Sequence, residues 1–438
     1  MHILTRIPYW GFWALLIYMP FHIFLSQSLS LATGGLEVWK VGKDVVLAVL
    51  VLFTICLVLW QRKANKLFAW LLGLSAAYGL LYIILWAINS DVHTQSAVLG
   101  IVHNMRLPAF LLLGMGAALL NPNKFVFSSV IKIVLAVSTA VAALGILQYF
   151  LPKDILVHLG YSLERGVRPH FFIDDHPDLP RIMSTLREPN ALGAYLVLPV
   201  AALTALLVRV KNTGLRYMVI GSLALHLLAI LLTHSRSAWL ATALVVALTL
   251  WWSYREWVER MLKRFWPLLI ALVLATGVAA YHVRDTAFFQ GYIIHTTELA
   301  TGEHSSTELH YLLAREGFER VVEQPHGYGP GTAGLASIQS PVPQLTENYY
   351  IQVMYEIGVV GFGVFVVINV VVYRRLWTRR DTFGVIMVAS FWGYVLTNML
   401  LHSWANEAIA AQWWLLAGAG MVALNGSKKK IGASTALD

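Results

Sequence analysis

The chain has 438 residues, 58% of them hydrophobic and 13% charged, with a formal net charge of +9 and a mean hydropathy of +0.65. A soluble domain carries about 25% charged residues, so a soluble fold is excluded and a polytopic membrane protein is indicated. On a soluble chain the basic excess would point to nucleic acid; here it follows membrane topology, and no nucleic-acid partner is expected.

In chain order, about twelve apolar runs approach the ~20 residues that cross a bilayer. They lie near 9–30, 41–60, 67–88, 97–120, 125–149, 190–209, 216–233, 237–254, 267–283, 347–373, 383–401 and 405–424. No small-residue cleavage site follows the first run, which therefore reads as a retained span and not a signal peptide. The single cysteine, Cys56, sits inside an apolar run and has no internal partner for a disulfide. With the N-terminus in the cytoplasm, the short inside segments hold Arg62, Lys63, Lys66, Lys124, Arg209, Lys211, Arg216, Arg255, Arg260, Lys263, Arg264 and the pairs at 374–375 and 379–380. Most acids then fall outside, as the positive-inside rule requires, and both termini are cytoplasmic. Lys428 to Lys430 read as a stop-transfer or lipid-surface cluster.

Five segments follow. Residues 1–149 form a five-span region, 150–189 a first outer loop, and 190–283 a four-span region. Residues 284–346 form a large outer loop, and 347–438 a three-span region with a cytoplasmic tail. Connections as long as the two outer loops are usually functional or disordered. Their aromatic and aliphatic content argues for order. Residues 305–323 read as an amphipathic helix capped by Ser305 or Ser306. Further on lies the Gly-rich stretch 325–334, with His326 at a turn. No internal repeat of the kind that builds many transporters is evident.

Three helix starts face the outside, and each offers a partial positive charge and unpaired N–H groups. At Arg187-Glu188-Pro189-Asn190, Pro189 suits the first turn and Arg187 sits just outside it. At His234-Ser235-Arg236-Ser237, either serine can cap and Arg236 lies at the boundary. At Thr346-Glu347-Asn348-Tyr349-Tyr350, Thr346 can cap and Glu347 brings a carboxylate. Two arginines at helix starts suit a phosphate, and a carboxylate nearby can serve as a base.

Plainer roles stand beside these. Boundary arginines anchor spans at the interface. A first-turn glutamate is favoured by the helix dipole, which lowers its pKa, so Glu347 acts as a base only where desolvation or a close hydroxyl offsets that. Arg106 and His103 lie inside a span, where internal pairing or snorkelling is expected. Glu356 falls on the helix face opposite Glu347. His310 and the run Asp174-Asp175-His176-Pro177-Asp178 contain metal-ligating types, but the run lacks i,i+4 ligand order, and no metal site is expected.

Four stretches in order resemble the O-antigen ligase and polymerase superfamily of bacterial envelope glycosyltransferases. They are STLREPNALGAYLVLP (184–199), LLTHSRSAWLA (231–241), PHGYGPGTAG (325–334) and ENYYIQVMYEIGVVGF (347–362). The resemblance covers about 184–373. It implies an all-α, multi-span fold of the GT-C type in the bacterial inner membrane, with the active site on the outer, periplasmic face. It also implies transfer of a glycan from an undecaprenyl-diphosphate carrier to a glycan or lipid-linked acceptor, with inversion and without metal or cofactor. Membrane lipids are the remaining partner.

On that resemblance Arg187 and Arg236 hold the diphosphate and Glu347 takes the acceptor proton. Asn348 and Tyr350 accompany Glu347; Arg168, His170 and Arg181 are further sugar or phosphate contacts; His326 lies in the loop that approaches the glycan by its backbone. Ligases of the family often carry His-Asn where this chain has Glu347-Asn348, which leaves polymerase and ligase both open, with a protein acceptor as a third case. A lipid-linked glycan flippase, another multi-span transporter and a non-catalytic scaffold are the competing classes.

Overall fold

Apolar segments in hydrocarbon must pair every backbone N–H and C=O internally, so they fold as helices. The computed structural model describes residues 3–89, 91–173, 176–286, 306–340 and 343–423. The expected Ser305 cap, Asp174, Asp175 and the Lys428–Lys430 cluster lie outside the described residues. The first region holds α1 (Arg6–Tyr18), α2 (His22–Thr33), α3 (Leu36–Trp60), α4 (Lys66–Ile88), α5 (Thr94–Leu120) and α6 (Phe127–Phe150). The first outer loop holds the short α7 (Ile155–His158) and an antiparallel hairpin of β1 (Phe171–Ile173) and β2 (His176–Arg181). The expectation of short helices alone in that loop missed the hairpin. Then come α8 (Pro189–Leu207), α9 (Thr213–Leu232), α10 (Arg236–Ser253) and α11 (Arg255–Val283). The large outer loop contains α12 (Ser306–Glu323), and the last region α13 (Tyr349–Trp377), α14 (Thr382–Leu400) and α15 (Glu407–Val422).

Among the described residues, 9 segments are long and apolar enough to cross a membrane, α1 and α2 together forming one of them. The other three expected spans correspond to α10, the apolar part of α11, and α15. α15 has only 16 residues and is almost entirely buried in the bundle. α11 opens with Arg255, Glu256, Arg260, Lys263 and Arg264 and leaves most of its described side chains exposed.

Small residues set the closest helix crossings, as is usual where lipid offers little apolar drive for association. A Cβ on Gly114 of α5 would overlap the Leu415 carbonyl of α15, and one on Gly418 would overlap that of Leu111. On Gly193 of α8 it would lie 2.5 Å from the Ala238 Cβ of α10. Gly193 thus lets the starts of α8 and α10 pack side by side.

The Gly-rich stretch is a wedge. α13 is broken at Gly358 (φ 66°, ψ −178°), which frees backbone groups in mid-helix. The loop takes them up: Tyr328 N–H donates to the Tyr355 carbonyl (2.8 Å), Gly329 N–H to that of Glu356 (2.9 Å), and Val359 N–H to that of Pro325 (2.9 Å). The Tyr328 ring stacks on Tyr355 at 4.4 Å. On its other side Gly331 lies against Ser96 and Gly100 of α5, where neither glycine has room for a Cβ. Beneath the wedge, the buried Glu356 carboxylate accepts from Asn104 Nδ2 (2.7 Å) and the Tyr82 hydroxyl (3.3 Å), and Tyr349 donates to Asn104 Oδ1 (3.0 Å).

Candidate active site

The segment before α8 is pinned from several sides. Gln148 Oε1 of α6 accepts from the amides of Met183 (3.1 Å) and Ser184 (2.9 Å), and Thr185 donates to the Pro20 carbonyl (2.8 Å). Ser184 takes a left-handed conformation (φ 54°). Glu188 is the extended N-cap residue and Pro189 the first helical residue, as expected. Arg187 Nη2 donates to the Gly166 carbonyl of the first outer loop at 3.2 Å.

Arg181 ties two helix starts together. Its Nε donates to the Thr233 carbonyl (2.9 Å) and its Nη2 to Asn190 Oδ1 (3.0 Å). The α10 start has Ser235 as its N-cap residue, its hydroxyl 3.1 Å from that of Ser237, with half-buried Arg236 as first helical residue. His234 precedes the cap with φ 50°. Burial, then the Arg181 charge, lowers the pKa of His234 and keeps its imidazole neutral.

The α13 start differs from expectation. Asn348, not Thr346, is the cap: its Oδ1 accepts from the amides of Tyr350 (2.9 Å) and Ile351 (3.1 Å). Its Nδ2 donates to the Met399 carbonyl at 2.9 Å. Thr346 instead lies 3.1 Å from His402 Nε2. Glu347 lies outside the helix in a left-handed conformation (φ 47°), which costs a non-glycine residue about 1–2 kcal/mol. Such strain gathers at functional sites. Helix-face spacing therefore does not relate Glu347 to Tyr350, whose hydroxyl points to the Val395 carbonyl of α14 (3.5 Å).

A cavity of about 1490 Å³ is lined by residues from the starts of α8 and α13. Its lining includes Arg187, Glu188, His310, Glu347 and His402. His310 of α12 brings its Nδ1 within 3.2 Å of Glu347 Oε2, with the ring turned away from ideal hydrogen-bond alignment. Burial would raise the Glu347 carboxyl, but the close approach of His310, then that of His402, outweighs it and holds Glu347 below its ordinary 4.5. Burial raises Glu188; Arg187 opposes this and Glu347 adds to it. Glu188 is exposed to the cavity, so its raised value reflects a deep protein-walled site and not loss of all solvent. His402 is lowered to about 4 by burial, with Glu347 opposing.

The cavity is also lined by a charged cluster, in which Arg106 pairs bidentately with Asp44 (2.7 and 2.8 Å) and reaches Glu407 at 3.4 Å, while Lys43 meets Asp44 at 3.1 Å. The internal pairing expected for Arg106 is present. The lining also includes apolar residues, among them Val41 and Val45 of α3 and Val98 and Val102 of α5.

Of the residues assigned to the site from the sequence, Arg187 and Glu347 line this cavity, as do His103, Arg106 and His310, which were given other roles. Arg236 and Arg181 stand at the neighbouring helix start, and Asn348 and Tyr350 support the entry to α13. Arg168 is exposed in the first outer loop, next to Val167 of the wall. His326 is exposed at the edge of the wedge, whose glycines 327, 329 and 331 are buried between α5 and α13. Glu188, His402 and the partners of Arg106, namely Lys43, Asp44 and Glu407, were missed, and His310 was weighed only as a metal ligand. Glu188 stands inside the quoted Arg-Glu-Pro motif, which was a usable signal; His310 and His402 become neighbours of Glu347 only through tertiary folding.

An arginine, a strained carboxylate and two imidazoles thus line one large cavity of the bundle. Residues 221–366 match the O-antigen ligase family. The match runs from within α9, through Arg236, His310 and Glu347, into α13. It supports the O-antigen ligase/polymerase superfamily and, in general terms, a glycosyl-transferring membrane enzyme of envelope glycan synthesis. Arg187 and the start of α8 lie before the matched residues. No curated protein matches the chain.

Proposed function

We propose that the chain transfers a glycan from undecaprenyl diphosphate to an acceptor hydroxyl on the periplasmic face of the inner membrane, as an O-unit polymerase or an O-antigen-type ligase on a GT-C-type fold. The observation that carries this reading is the shared cavity. It is lined by a helix-start arginine, Arg187, by the carboxylate Glu347 and by apolar residues of α3 and α5.

The diphosphate binds at Arg187, aided by the α8 start and by Arg236 at the adjacent α10 start. The polyprenyl chain follows the wall of Val41, Val45, Val98 and Val102. The acceptor hydroxyl attacks the anomeric carbon from the side opposite the leaving oxygen, which inverts that centre. As the glycosidic C–O bond breaks, charge grows on the diphosphate, so guanidinium and helix dipoles stabilise the transition state more than the ground state. They supply the positive charge that a metal ion would otherwise contribute. Glu347 organises removal of the acceptor proton.

Donor binding tests the first half of the mechanism. In detergent-purified protein, Arg187→Ala should weaken binding of an undecaprenyl-diphosphate glycan by about tenfold or more, the loss of one charge-assisted contact of about 1.5–3 kcal/mol. Unchanged binding in both Arg187→Ala and Arg236→Ala would remove the proposed diphosphate site.

A further inference from the structure

We propose that His310 and Glu347 act as a dyad in which the His310 imidazole takes the acceptor proton and the Glu347 carboxylate orients the ring. The inference rests on the transferase reading above and names the atom that performs its acid–base step.

Three observations support it. His310 comes from α12, an element of the large outer loop, yet its Nδ1 lies 3.2 Å from Glu347 Oε2. It lines the same cavity as Arg187 and Glu347, and its side chain is more exposed than that of Glu347, 37% against 23%. Glu347 is also held in place: its strained backbone is fixed between Thr346, tied to His402, and the Asn348 cap.

The chemistry favours the imidazole. A carboxylate facing His310 and His402 keeps its charge and holds a proton weakly, which makes it a good electrostatic partner and a poor base. A histidine whose Nδ1–H faces a carboxylate is held in one tautomer, with the Nε2 lone pair available. Modest ring rotation aligns Nδ1–H with Oε2; such contacts are often loose before substrate binds. In the step itself, a lone pair on the acceptor oxygen forms the bond to the anomeric carbon. The O–H bond breaks and its proton passes to Nε2 of His310. The bond from the anomeric carbon to the diphosphate oxygen breaks, and its electron pair leaves on the diphosphate. The imidazolium is stabilised by Glu347 until it releases its proton to water. The charged and titratable groups around the pair are neutral His402 and, also lining the cavity, Glu188 and Arg187.

The test uses the full chain in proteoliposomes with an undecaprenyl-diphosphate-linked glycan. His310→Asn should lower kcat by about 10²–10⁴-fold, the usual contribution of general-base catalysis, with donor affinity and melting temperature unchanged. Free imidazole should restore part of the activity of His310→Ala. Normal turnover in His310→Asn, with Glu347→Gln inactive and an acid limb below pH 4.5, would overturn the dyad and leave Glu347 as the direct base. Loss of donor affinity or folding in His310→Asn, without imidazole rescue of His310→Ala, would assign His310 a structural role and also overturn it. Wild-type protein that transfers nothing would overturn the transferase reading and this inference with it.

Discussion

Replacing Gly100 by alanine tests whether the Gly-rich loop is a structural wedge. In the interior of a helix such as α5, Gly→Ala is ordinarily favourable by about 1 kcal/mol. Here the new Cβ would sit 2.5 Å from the Gly331 Cα and 3.0 Å from the Pro330 carbonyl carbon, and would overlap the Gly331 nitrogen. These are backbone atoms and cannot swing aside. Retaining the loop costs about 1–3 kcal/mol of overpacking. Expelling it exposes three backbone hydrogen bonds to the broken α13, each worth about 0.5–1.5 kcal/mol. After the propensity gain, the cheaper of the two responses leaves Gly100→Ala less stable by up to about 2 kcal/mol. Gly73 of α4 is the internal control, since nothing lies within 4 Å of a Cβ there; Gly73→Ala should be neutral or stabilising. Thermal unfolding of the two variants in the same detergent measures the difference. Equal or greater stability of Gly100→Ala would refute the wedge.

Other outcomes follow from the same structure. Asp44→Asn leaves Arg106 without its bidentate partner although its side chain is only 6% exposed, and should cost about 3–5 kcal/mol by thermal or denaturant unfolding. Asn348→Ala removes the α13 cap and should lower stability by about 1 kcal/mol, with a further loss of turnover as Glu347 shifts. His402 is lowered from 6.5 to about 4 by burial, so between those values the unfolded chain binds the proton first. Stability should therefore fall as the pH drops from 6.5 toward 4, and His402→Gln should flatten that slope in melting temperature.

The helical fold was legible in the sequence because membrane spans need long apolar runs, and most expected spans coincide with observed helices. The starts at Pro189 and Arg236 were readable from local chemistry, since proline at a first turn and serine at a cap act through their own backbone. The α13 start was read less well: Thr346 and Asn348 are both good caps, and which one serves depends on where the chain turns. Glu347 was found as a carboxylate at a boundary, but its left-handed backbone and its contact with His310 arise from packing of α12 on α13. The Gly-rich stretch was visible, and its packing was not. Glycine permits both mobility and close approach, and only the break at Gly358 and the facing Gly100 show which is used here. The Arg106–Asp44–Glu407 cluster joins three helices far apart in the chain, so spacing within any one of them carries no trace of it.

The most direct measurement of the central claim is glycan transfer by the purified chain, reconstituted with an undecaprenyl-diphosphate-linked glycan and a candidate acceptor, with wild type and Glu347→Gln compared side by side. The account predicts transfer by the wild type, with product either as laddered chains on the lipid carrier or as glycan on a second acceptor. Glu347→Gln should bind donor normally and lose at least about 10²-fold in turnover. Wild-type turnover in Glu347→Gln would contradict the account.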